Sequence, residues 1–204
     1  TAHCANTGAM LGVNKEGVTS WLSKSNDPKR KLKWSCELVQ IDKTIIGINT
    51  HNPNRIVQEA IHNKKIKELI DYSILKREVK YGTNSKIDIL LQDDSKKDCY
   101  VEIKNVHLSR EKGLAEFPDA ITTRGAKHLR ELSLISKSGL RAVMLYLIQR
   151  NDCNFFKIAQ DIDTEYAEEF NNALNAGVEV ICMDTILSNK AIDIGKNIQL
   201  LINK

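Results

Sequence analysis

Three carboxylates and one lysine, Glu59, Asp88, Glu102 and Lys104, are the residues whose types and spacing could do chemistry. Residues two apart in a β-strand share a face. In the stretch 100–106, Glu102 and Lys104 therefore stand side by side while Val101 and Ile103 point the other way. Asp88 sits between Ile87 and Ile89, and a hairpin turning through 92–97 brings it opposite that pair. Charge flanked by apolar strand residues is costly unless it is paired or bound to a cation. Two arrangements meet that condition: a cross-strand salt bridge on a solvated sheet face, or a set of oxygen ligands for Mg²⁺ or Mn²⁺. Glu59 favours the second. It adjoins the apolar stripe of Ile56 and Ala60, so it is expected where a helix meets the sheet, as a third carboxylate aimed at the first two. Lys104 would then orient or deprotonate an attacking water, or neutralise charge developing on a phosphoryl group.

The elements that must position these residues follow from periodicity and punctuation. The first fifty residues are short apolar pieces broken by turn formers, with strands expected at 18–22, 35–41 and 44–48, which suggests a small or partial β-barrel. Asn52 can cap a helix that opens on Pro53 and runs over 53–69. Strands are expected at 86–91 and 98–106, a helix over 118–137, a strand at 141–149, a helix over 163–176 and a strand at 178–183. The alternating tail 189–204 fits a last edge strand. The order α-β-β-α-β-α-β implies a mixed sheet between helices, antiparallel at its central hairpin and parallel later. The division is thus a β module at 1–50 and an α/β domain at 51–204.

Composition narrows the class. The chain of 204 residues carries 30 Lys and Arg against 26 Asp and Glu, a surplus that only weakly favours a polyanion, but the cations cluster. Lys29, Arg30, Lys31 and Lys33 follow Asp27-Pro28, and Lys64, Lys65 and Lys67 recur later. Each cluster reads either as a nucleic-acid contact or as a solvated turn. Five scattered cysteines without a CxxC argue against a disulfide framework and a structural zinc site, and point to a reducing cytoplasm. No apolar run reaches membrane-spanning length, and no leader-like segment opens the chain, so a soluble protein is expected.

Several blocks carry a resemblance: His3-Cys4-Ala5-Asn6-Thr7-Gly8-Ala9-Met10, Asn26 to Lys31, Tyr81 to Asp88, Val101 to Val106, and Phe117-Pro118-Asp119-Ala120 with Thr123 to Leu129. Together they strongly resemble the bacterial and archaeal sugar fermentation stimulation protein A family. The resemblance implies an N-terminal OB-like barrel, here without its first strands, followed by a restriction-endonuclease-like domain of the PD-(D/E)XK type. It would make Asp88 and Glu102 metal carboxylates, Lys104 the catalytic lysine and Glu59 the helix acid. Thr7 stands where proline is common, and Lys86 where arginine is common, which keeps the charge but not the planar fork.

From the same picture Lys86, Arg124 and His128 join the basic loop as nucleic-acid contacts. Arg124 and His128, four apart, share a helical face, with His128 alternatively a packing residue. Trp21 and Trp34 could stack bases or pack in the core, while His3, Asn6 and Asn105 read as structural. The expected function is a Mg²⁺- or Mn²⁺-dependent phosphodiesterase acting on nucleic acid, DNA in preference to RNA. The alternative is a non-catalytic DNA-binding regulator linked to maltose use. No membrane partner is expected, and a homodimer is left open.

Overall fold

A computed structural model describes residues 1–6, 8–82 and 85–202. Thr7 and the residues at 83, 84, 203 and 204 lie outside the described residues. Strands β1 (Ser20–Lys24), β2 (Trp34–Ile41) and β3 (Thr44–Gly47) form an antiparallel sheet in that order. A bridge from His3 to Ser35 extends it, and Val13, Val39, Ile46 and Ile48 form its small core.

Beyond it come α1 (Pro53–His62), β4 (Ile74–Tyr81), β5 (Ser85–Gln92), β6 (Cys99–Val106), β7 (Leu108–Glu111) and β8 (Leu114–Phe117). Then follow α2 (Thr123–Lys137), β9 (Arg141–Ile148), β10 (Phe155–Ile158), α3 (Thr164–Asn175), β11 (Glu179–Leu187), β12 (Ile192–Asn197) and β13 (Gln199–Leu200). The main sheet has the order β12-β11-β9-β6-β5-β4. As expected it is mixed: β4, β5 and β6 are antiparallel, and β6, β9 and β11 are parallel. The β9 run is buried along nearly its whole length because both faces of a central parallel strand are covered. On one face Ile56, Val57 and Ala60 of α1 pack with Ile89, Val101, Ile103 and Leu145. On the other, Leu129 and Leu132 of α2 and Tyr166 and Phe170 of α3 meet Leu90, Met144 and Tyr146. A side sheet of order β13-β10-β8-β7 completes the domain.

Three local expectations are corrected. The helix expected over 53–69 stops at His62, because Lys64 takes a left-handed φ of 55° and turns the chain; only a 3-10 turn, Lys67–Leu69, remains beyond it. The helix expected from 118 begins at Thr123, where Thr122 Oγ1 caps it by accepting the Gly125 N–H at 3.1 Å. Asn52 precedes α1 but makes no side-chain cap. Its amide donates instead to Glu37 Oε2 at 2.9 Å, and Asn49 Nδ2 donates to the same oxygen at 2.8 Å.

That contact joins the N-terminal sheet to the larger domain. Glu37 Oε1 also accepts the Ser23 hydroxyl at 2.6 Å. Gly47 N–H donates to the Gln149 carbonyl at 2.8 Å, and a Cβ at Gly47 would collide with the Gln149 side chain. Met10 N–H reaches Asp119 Oδ2 at 2.9 Å. Burial pushes the Glu37 carboxyl up, but its bonds from Ser23, Asn49 and Asn52 and the Arg55 charge outweigh this, leaving it below its ordinary value. A carboxyl depressed on folding contributes stability above its unfolded pKa, and that stability is lost as pH falls through the folded value. The stability lost in Glu37→Gln should therefore be full at pH 6–7, above the unfolded value of about 4.3, and fade below it. Urea denaturation at stepped pH measures it, and a pH-independent difference would contradict the assignment.

Candidate active site

The site is built where two strands break step together. In the β4–β5 ladder every partner is in register except Glu78 and Asp88, which fall opposite each other without pairing. Glu78 takes a left-handed φ of 51°. The consequence shows in the packing. Leu75 and Ile89 on one side of this point pack with the α1 cluster, whereas Val79 and Ile87 beyond it pack with the α2 cluster. Both strands switch faces at this step. The β5–β6 ladder likewise ends at the Ile89–Val101 pair. Asp88 then takes over by side chain: its Oδ2 accepts the Ile103 N–H at 2.8 Å and its Oδ1 accepts Asn54 Nδ2 at 2.8 Å.

Glu102 lies opposite the apolar α1 face, as the strand alternation requires, and is only 2% exposed. Lys104 Nζ donates to Glu102 Oε1 at 2.8 Å, and His128 Nδ1 of α2 meets the same oxygen. Arg124 Nε, one helical turn earlier, lies 3.4 Å from His128 Nε2. Lys104 Nζ also lies 3.1 Å from His128 Nδ1, so lysine, imidazole and Glu102 Oε1 form one close cluster. The other oxygen, Glu102 Oε2, is buried without a hydrogen-bond partner among the described residues. Burial raises the Glu102 carboxyl, but the Lys104 charge and the His128 bond outweigh it, so the acid stays below its ordinary value. Asp88 goes the other way: burial and then the Glu102 charge raise it beyond what Ile103, Lys104 and Asn54 lower.

Asp88, Glu102, Lys104, Arg124 and His128 thus come together, but Glu59 does not join them. It is exposed on α1 and lines a separate groove with Arg55, His62, Leu69 and Tyr72. The expected third carboxylate is absent: among the described residues no three His, Cys, Asp or Glu side chains form a metal-holding group. The physical reason is helical phase. Asn54, five residues earlier, is the α1 side chain turned to Asp88, and it brings a neutral amide. The basic loop residues also stay apart. Arg30 Nη2 bonds Ser35 Oγ at 2.9 Å, Lys33 Nζ bonds the Asp27 and Pro28 carbonyls, and Lys29 and Lys31 are exposed on the β1–β2 connection. Lys86 is exposed two residues before Asp88.

Of the remaining candidates, Trp34 is 41% exposed with Lys24 Nζ 5.7 Å from its ring centroid, and Trp21 is half-buried. The structural readings of Asn6 and Asn105 fit: Asn6 Oδ1 accepts the Gly8 N–H at 2.9 Å, and Asn105 Oδ1 accepts from Gln149 Nε2 at 2.5 Å. Sequence reasoning missed three neighbours of the site. Besides Asn54 these are Tyr81, whose hydroxyl is buried, and Glu131, which accepts the Ser85 hydroxyl at 2.8 Å. Burial and the charges of Glu102, Glu131 and Asp88 hold the Tyr81 phenol far above its ordinary range, so it stays neutral. A signal existed for Glu131, which follows His128 by three residues on one helix face.

Comparison with known proteins gives the family. Residues 51–191 match the family model described as the sugar fermentation stimulation protein RE domain, and residues 1–48 match the N-terminal OB domain of the same family. The chain belongs to the sugar fermentation stimulation protein family. A sugar fermentation stimulation protein homolog of Rhodospirillum centenum is 51% identical over 98% of this chain and 86% of its own length. One from Agrobacterium fabrum is 48% identical over 98% and 84%. A solved structure, Pyrococcus furiosus SfsA in complex with Ca²⁺, superposes with a TM-score of 0.90 at 25% identity, covering 98% of this chain and 85% of that one. No helix among the described residues is long and apolar enough to cross a membrane.

The raised Asp88 carboxyl gives a test. A carboxyl raised on folding costs stability once ionised, a cost absent well below its unfolded value of about 3.9 and complete above the folded value. In chelator, Asp88→Asn should therefore gain stability relative to the wild type as pH rises from about 4 to 7. Denaturant titration across that range checks it, and a relative loss on rising pH would contradict the electrostatic reading.

Proposed function

We propose that the protein is a divalent-cation-dependent phosphodiesterase acting on nucleic acid, with Mg²⁺ or Mn²⁺ as its ion and DNA in preference to RNA as its substrate. The observation that carries this is the bare oxygen at the centre of the site. A buried carboxylate oxygen without a partner is costly, and Glu102 Oε2 is one, beside an Asp88 carboxyl already strained by a second negative charge. A hard cation between these two carboxylates relieves both, and oxygen donors suit Mg²⁺ and Mn²⁺. The Ca²⁺ in the related Pyrococcus furiosus structure supports a divalent ion in this family.

Asp88 and Glu102 would hold the ion, with Glu59 having no part. When bound, it would supply Lewis acidity to a phosphoryl oxygen and lower the pKa of a coordinated water. The chain's own groups do the rest. Lys104 Nζ is fixed at 2.8 Å from Glu102 Oε1 and 3.1 Å from His128 Nδ1, which leaves a third N–H to orient a nucleophile or to donate to a non-bridging phosphate oxygen. His128 holds the same Glu102 oxygen from α2. Arg124, exposed on the same helix face, is placed to bind a phosphate with its outer guanidinium nitrogens.

The second reading, a non-catalytic DNA-binding regulator, rests on the exposed Lys29 and Lys31 and on Trp34, none of which belongs to this site. One variant separates the two. Lys104→Ala should lower Mg²⁺-dependent cleavage by about 100-fold or more while leaving nucleic-acid binding nearly intact. A gel assay at fixed salt with chelator controls reads both quantities. Equal cleavage by wild type and variant would refute the role of Lys104, and no cleavage by the wild type would favour the regulator.

A further inference from the structure

A like-charged pair stands at the sheet edge beside the site. β4 is an edge strand, and its register with β5 sets Lys80 directly opposite Lys86. Opposed like charges at such a position, with Cβ atoms about 5 Å apart, destabilise an antiparallel pair. Among the described residues neither ammonium has an ion pair or a hydrogen bond to offset this. Other cations of β4 are engaged. Lys76 Nζ donates to Gln92 Oε1 at 2.7 Å and Arg77 Nη1 to Gln58 Oε1 at 3.2 Å. Glu78, the acid of that strand, bonds to neither lysine.

Position makes the pair informative. Tyr81 and Ile87, their chain neighbours, turn inward to the α2 cluster, so by strand alternation Lys80 and Lys86 point out to solvent. The two lysines border a recess with Tyr81, Gly82 and Ser85, where Gly82 offers no side chain and the Ser85 hydroxyl is already committed to Glu131. The outer rim of the recess is therefore cationic, and the Glu131 carboxylate behind Gly82 already accepts the Ser85 hydroxyl. Lys86 precedes Asp88 by two residues, roughly 6.6 Å along the strand.

We infer that Lys80 and Lys86 together clamp one backbone phosphate of the bound strand, next to the phosphate held at Asp88 and Glu102. This rests on the reading that a nucleic-acid strand crosses the site. A phosphodiester supplies two non-bridging oxygens, one for each ammonium, and its charge removes the repulsion that the unliganded pair carries. The pair is a specificity device for a continuous polyanionic strand: a mononucleotide ester would fill the metal site and leave the clamp empty.

The test separates the clamp from catalysis. Binding of a short single-stranded DNA is followed by fluorescence anisotropy in chelator, against salt, for wild type, K80Q, K86Q and the double variant. Each lysine removed should lessen the slope of log affinity against log salt by about 0.7. The thermal midpoint should hold or rise, because a repulsion is relieved, so a folding defect is distinguishable from lost contact. A single neutral methylphosphonate walked along the strand should weaken wild-type binding several-fold at one position and leave the double variant indifferent there. Equal salt slopes in wild type and double variant, or equal penalties at every methylphosphonate position, would overturn the clamp even if cleavage is intact. A wild type that binds with these signatures but never cleaves would defeat the catalytic reading and leave the clamp standing.

Discussion

Everything at the site hangs on a carboxylate that should not be comfortable where it is. Glu102 lies at the middle of a central strand, 2% exposed, with apolar strands on either side. Charge at such a place persists only if neighbours compensate it. Lys104 does so from the same strand face and His128 from the helix above, both on one oxygen, and the other oxygen is left bare. The helix register follows from this requirement. His128 must point down into the sheet, which sets Arg124 one turn earlier at the rim and Glu131 three residues on at the turn between β4 and β5.

The second constraint is the joint break of β4 and β5. A regular ladder would leave Asp88 on a fixed face and its neighbours satisfied by backbone bonds. The break at Glu78 and Asp88 ends β5–β6 pairing early and leaves the Ile103 amide seeking an acceptor, which Asp88 provides. The side chain is therefore held by the main chain of the very strand that carries Glu102 and Lys104. Distances between the two carboxylates and the lysine are then set by backbone geometry rather than by flexible side chains, which is what a preorganised site demands.

How much of this was legible depended on which signals are local. The parity of Glu102 and Lys104 and the hairpin that returns Asp88 to them are period-2 facts, and they survive folding. The same alternation hides β4. Its apolar positions change phase at Glu78, so Ile74, Leu75, Val79 and Tyr81 read as no regular pattern although they form one strand. The strands β7, β8 and β10 are four residues each, too short for a period to emerge. Asn52 shows a different limit. Its type and its place before Pro53 fit a helix cap, yet a carboxylate from another sheet, Glu37, competes for its amide and wins, and nothing local announces Glu37. The family resemblance supplied the domain plan that periodicity alone left open.

Glu59 was misplaced for a related reason, since helical spacing says which residues share a stripe but not which turn of the stripe meets the sheet. That Asn54 stands in its stead alters the charge of the site in a definite way. With both carboxyls ionised, Asp88 and Glu102 contribute two negative charges and Lys104 one positive, so these three groups carry a net single negative charge. On the proposed reading a divalent ion brings this to one positive, the complement of a single phosphodiester. A third carboxylate would have left ion and protein together neutral and the incoming phosphate uncompensated beside the buried Glu102, where Coulomb energies are least screened. The amide keeps the hydrogen bond that orients Asp88 and withholds the charge, so the part left to attract the strand falls to Arg124 and the cationic edge of β4.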